Sequence, residues 1–127
     1  MRGLYVVTDA SITDPELLYR QVDEAVAGGS RLVQFRHKTT DAGLYLALAE
    51  AVLEACRRNF TPCLINDQVS IAKVLAADGA HLGQRDGSLL DARQTLGPHA
   101  VLGRTCHGSQ KFMDQAVADG ASYCAFG

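Results

Sequence analysis

The chain has 127 residues, nearly half of them apolar, with twelve basic and fourteen acidic side chains for a net charge of −2. That is enough for one domain, residues 1–127, with a sizeable core, and too apolar for a disordered segment. No basic run suggests nucleic acid or a membrane surface, and no apolar stretch is long enough to span a bilayer.

The pattern then alternates short apolar runs with amphipathic ones. Strands are expected at Gly3–Thr8, Arg31–Phe35, Pro62–Ile65, Gly79–Leu82, Ala100–Gly103 and Ser122–Phe126. Helices are expected at Asp14–Ala27, Asp41–Asn59, Gln68–Ala76, Ser88–Leu96 and Ser109–Ala118. The first helix opens on Thr13 as a cap with Pro15 in its first turn. Leu17, Leu18, Val22, Ala25 and Val26 keep a helical period, as do Leu44, Leu48, Ala51, Val52 and Ala55 in the second helix.

A helix–glycine–strand junction recurs at Gly28-Gly29, Gly79 and Gly120, each read as a left-handed helix end. Strict alternation of strand and helix predicts a parallel sheet with right-handed crossovers. The first strand lacks the GxGxxG loop of a doubly wound fold. Polar residues at several strand ends instead fit a parallel β/α barrel of TIM type. With six strands and five helices this is an incomplete barrel, cut short after the sixth strand.

Cys56, Cys63, Cys106 and Cys124 show neither zinc nor disulfide spacing. A reduced, cytoplasmic protein is expected, with no signal peptide before the first strand.

The strand tips carry the chemistry. Gln34, Arg36 and Lys38 alternate along the second tip, and on an extended strand they share a face. Asn66 and Asp67 follow the third strand, and Asp86 follows the fourth. Cations beside carboxylates suit a phosphorylated anion bridged by a divalent metal. Arginine forks across phosphate oxygens, lysine adds a point charge, and magnesium favours one or two carboxylates plus phosphate and water. Plainer uses compete. Arg36 and Lys38 can be solvated loop charges, and Asp67 and Asp86 can be helix caps. His81 reads as a packed, hydrogen-bonded histidine, and His37 and His99 as surface residues. His107 is either a helix-start residue or a site residue. Gln84 can satisfy backbone groups, and Gly83 and Gly103 read as backbone necessities.

Five motifs in order, Leu4-Tyr5-Val6-Val7-Thr8-Asp9, Val33-Gln34-Phe35-Arg36-His37-Lys38, Ile65-Asn66-Asp67, Ala77-Asp78-Gly79-Ala80-His81-Leu82-Gly83-Gln84 and Gly103-Arg104-Thr105-Cys106-His107, resemble the thiamine phosphate synthases (thiamine-phosphate pyrophosphorylases). The resemblance implies a β/α-barrel transferase of thiamine biosynthesis. It joins hydroxymethylpyrimidine pyrophosphate to thiazole phosphate, with Mg2+ assisting the loss of pyrophosphate. It places Gln34, Arg36, Lys38, Asn66, Thr105 and His107 at the substrate and Asp67 and Asp86 at the metal. No protein nucleophile is implied. The family pattern continues beyond Gly127 into loops that grip pyrophosphate and thiazole phosphate. The 127-residue chain is therefore expected to be inactive alone, with a homo-oligomer or a further C-terminal segment covering the gap. The alternatives are a related thiazole tautomerase, which uses a histidine at the position of His107 and tends to lack the metal carboxylates, and a non-catalytic binding or regulatory remnant.

Overall fold

A computed structural model describes residues 2–127 of the chain. Its elements run β1 (Tyr5–Val7), α1 (Pro15–Ala27), β2 (Leu32–Phe35), α2 (Ala42–Arg58), β3 (Cys63–Asn66), α3 (Val69–Val74), β4 (Gly79–Leu82), α4 (Leu89–Leu96), β5 (Val101–Thr105), α5 (Gln110–Ala118) and β6 (Tyr123–Ala125). Hydrogen bonding orders the strands β1-β2-β3-β4-β5-β6. The pairs β1–β2, β4–β5 and β5–β6 are parallel, as the alternation of strand and helix requires. Two compact units divide between Leu64 and Ile65.

In the first unit, helices α1 and α2 present apolar stripes. Leu18, Val22 and Val26 are buried on α1, and Leu48, Ala49, Val52, Leu53, Ala55 and Cys56 on α2. All four residues of β2 are buried, as expected of a strand covered on both faces. Asp14, not Thr13, caps α1: its Oδ1 accepts the Glu16 N–H at 3.0 Å, and Pro15 takes the first helical position. A carboxylate one residue nearer the helix reaches the first turn's open N–H groups, which leaves Thr13 outside.

The second unit packs Ala80 and Leu82 of β4 with Leu89 and Ala92 of α4, Leu102 of β5, Ala116 of α5, and Cys106 just after β5. Helices α4 and α5 are capped by Ser88 and Ser109, whose side chains accept the Asp91 and Phe112 N–H groups. Among the described residues no helix is long and apolar enough to cross a membrane.

The three glycine junctions divide. Gly29 and Gly120 take positive φ, at 111° and 85°. Gly79 does not. The left-handed position after α3 falls to Ala76, at φ 54°, three residues earlier. Gly79 instead opens β4 where its missing side chain lets the backbone of Val101 pass; a Cβ there would collide with it. The requirement is close strand approach, not helix termination.

Candidate functional site

In the first unit, β2 ends at Phe35, so strand alternation extends only to Gln34. Gln34 is buried and its Nε2 donates to Tyr5 Oη at 2.8 Å. Arg36 and Lys38 stand in the loop beyond the strand, both exposed. That loop is nevertheless held at two points. Thr8 Oγ1 accepts the Arg36 N–H at 3.0 Å and lies 3.3 Å from the Arg36 carbonyl. His37, expected at the surface, is half-buried with both ring nitrogens engaged. The Thr39 N–H donates to Nδ1 at 3.1 Å, and Nε2 lies 2.9 Å from the Ile12 carbonyl. A backbone N–H can only donate and a carbonyl can only accept. Nδ1 therefore carries the lone pair and Nε2 the proton, and His37 is a neutral strut between the two cations.

In the second unit, Asn66 is the last residue of β3 and half-buried. Asp67 follows in a left-handed conformation, φ 65°, its N–H donating to the His81 carbonyl at 2.9 Å. Aspartate tolerates this region better than most residues, and such positions cluster at functional sites. Asp67 is not the cap of α3. That position belongs to Gln68, which makes no side-chain capping bond.

Asp86 is not the cap of α4 either, since Ser88 holds that place. Its Oδ2 accepts the Gly83 N–H at 2.8 Å, closing the β4–α4 turn on itself. Asp67 and Asp86 both line one open cleft of about 380 Å³, with Gln68, Ser88 and Asp91 beside them. Among the described residues no group of three or more histidine, cysteine or acidic side chains gathers into a metal cage. Two carboxylates on an open cleft suit a cation that takes its remaining ligands from phosphate oxygens and water, which is the habit of magnesium.

Thr105 closes β5, half-buried. Gln84 Nε2 donates to its carbonyl at 2.7 Å, so Gln84 does satisfy a backbone group. His81 is buried and hydrogen-bonded to Thr105 Oγ1, as its place within a strand predicts. His107 is exposed at φ 51°, its ring edge-on to Phe112 with centroids 6.4 Å apart; Ser109 caps the following helix.

Three supporting residues escape a reading of the sequence. Arg104 is buried within β5 and donates to the Gly83 carbonyl at 2.7 Å and the Gly87 carbonyl at 3.0 Å, bracketing the loop that carries Asp86. Tyr5 and Tyr123 are the phenols that fix Gln34 and His81. An arginine inside an otherwise apolar strand is the one available signal for the first. The tyrosines look like ordinary strand residues.

The family model described as thiamine monophosphate synthase matches residues 4–127. A thiamine-phosphate synthase from Marinobacter nauticus is 46% identical over 125 residues, covering 98% of this chain and 56% of that protein. The solved structure of a thiamine phosphate pyrophosphorylase from Pyrococcus furiosus superposes with a TM-score of 0.83 at 27% identity, over 98% of this chain and 59% of the other. The chain thus spans somewhat more than half the length of either relative. With the family model matching nearly every residue, the chain belongs to the thiamine monophosphate synthase family.

Proposed function

We propose that the protein is a thiamine phosphate synthase, joining a pyrimidine pyrophosphate to a thiazole phosphate with release of pyrophosphate, and that these residues supply its pyrimidine-pyrophosphate and metal ligands. The sheet is then part of a β/α barrel of TIM type, with its ligands at the C-terminal strand ends. The observation that carries this reading is the opening of Asp67 and Asp86 on one cleft in a chain of this family.

Each residue has a definite task. Arg36 forks across phosphate oxygens and Lys38 adds a point charge; both gain strength as the departing pyrophosphate gathers charge. Gln34 Nε2 gives one of its two N–H donors to Tyr5, which leaves the other donor and the carbonyl oxygen for the pyrimidine. Asn66 meets the pyrophosphate, and Thr105 and His107 lie by the pyrimidine. Asp67 and Asp86 would hold Mg2+, which when bound supplies Lewis-acid neutralisation of the leaving group. No side chain needs to act as a nucleophile, since the thiazole nitrogen is one. The cytoplasmic setting and the phosphorylated small-molecule partners belong to the same proposal. The tautomerase alternative is less favoured, because two carboxylates on one cleft serve pyrophosphate departure with a bound metal and have no task in a proton shift.

The test is product formation. A form extended to the length of its relatives is incubated with Mg2+ and both substrates, and thiamine phosphate and pyrophosphate are quantified together; residues 1–127 alone are expected to give no turnover. Equimolar release of the two supports the synthase. Isomerisation of the thiazole with no pyrophosphate released would transfer the protein to the tautomerase reading.

A further inference from the structure

The reaction proposed above leaves the side chain of His81 without a task, yet it is buried. Its ring bridges two hydroxyls. Tyr123 Oη lies 2.6 Å from Nδ1, and Thr105 Oγ1 lies 2.7 Å from Nε2. The phenol also lies along the imidazole, ring centroids 5.6 Å apart and 28° from parallel. Gly103 is the register partner of Tyr123, and a Cβ at Gly103 would run into the phenol ring. The strand therefore leaves space for this tyrosine, and Gly103 is a packing requirement more than a backbone one.

A neutral imidazole donates from one nitrogen and accepts at the other. Two hydroxyls compete for the accepting position. A phenol, with a pKa of about 10, is far more acidic than an aliphatic alcohol and the better donor. Tyr123 O–H then donates to Nδ1, the imidazole proton sits on Nε2, and Nε2–H donates to Thr105 Oγ1. The hydrogen of Thr105 is left to point away from His81. In the opposite arrangement Thr105 would donate inward and present only lone pairs.

We propose that His81, oriented by Tyr123, is a positioning residue that makes the Thr105 hydroxyl a hydrogen-bond donor to an acceptor atom of the pyrimidine substrate. This rests on the reading of Thr105 as a substrate contact. Two further bonds fit it. Gln84 fixes the Thr105 carbonyl, so the hydroxyl is held from both ends of its residue. The His81 carbonyl accepts the Asp67 N–H, so one residue sets a substrate donor and the backbone of a metal carboxylate together. The ligand atom selected is a ring nitrogen lone pair, not an amino group.

The proposal is tested by 15N NMR of the histidine rings, which needs no variant. A protonated Nε2 and an unprotonated Nδ1 at His81 are expected; the reverse overturns the relay. Y123F removes the phenolic donor at Nδ1 and should shift the His81 proton toward Nδ1; an unchanged tautomer counts against Tyr123 as the orienting group. Pyrimidine pyrophosphate is then titrated with Mg2+. T105S should bind like wild type and T105V about tenfold more weakly, the worth of one hydrogen bond; equal binding by T105V overturns the donor role. Absence of binding by wild type would dispose of the proposed substrate, while the 15N shifts would still decide the relay.

Discussion

Cys106 shows how far local surroundings set a side chain's chemistry. Burial pushes its thiol pKa up, the neighbouring Cys124 adds to the rise, and the Arg104 charge opposes it. The thiolate is the reactive form, so Cys106 should be alkylated slowly in the folded protein and readily after denaturation. Rapid modification by iodoacetamide in native buffer at neutral pH would contradict this. A thiol whose pKa is raised on folding contributes stability that is intact below the unfolded value of about 8.5 and is lost as pH rises through the folded one.

The acidic residues make a sharper case. Asp67 and Asp86 were each legible as either a cap or a metal ligand. The structure removes the caps, because Gln68 and Ser88 occupy those positions. What no sequence could supply is the left-handed turn at Asp67 or the bond from Gly83 to Asp86, since both depend on β4. The same holds for His37, whose partners lie at Ile12 and Thr39 and whose role is invisible without the fold. His37→Leu keeps the bulk and removes both bonds. It should weaken pyrophosphate binding about three- to tenfold through loss of loop order, at the scale of one or two hydrogen bonds. Unchanged affinity would show that the loop does not need the strut.

At the scale of elements, hydrophobic period and capping residues placed every helix within two residues of its observed ends, and the strands likewise. The misses have physical causes. β1 and β6 are shorter than their apolar runs because Leu4 and Phe126, 70% and 60% exposed, lie outside the paired segments. β5 is longer than expected, reaching Arg104 and Thr105, because a buried arginine can pair its charge with loop carbonyls and remain in a strand. Gly79 looked like a helix stop and is a point of strand contact. Gly79→Ala should therefore cost more than an ordinary strand glycine does, about 1–3 kcal/mol from overpacking. Chemical denaturation measures it, and a neutral or stabilising result would mean that β4 and β5 do not approach closely there. Asp14→Ala tests the corrected cap and should cost about 1 kcal/mol, with Thr13→Ala near zero.

At the scale of the whole chain, alternation of strand and helix was enough to predict parallel pairing and sequential order. The distribution of polar residues at strand ends suggests phosphate chemistry, which ligand binding has to test. Neither could show which carboxylates share a cleft. We propose that Asp67 and Asp86 hold the magnesium of a pyrimidine pyrophosphate. Calorimetric titration of that compound, with Mg2+ and with a chelator, in wild type and in D86N, tests it most directly. Binding should require Mg2+, and D86N should lose at least about tenfold in affinity, as removal of one metal carboxylate would. Equal affinity with metal and with chelator, or an unaltered affinity in D86N, would contradict the assignment.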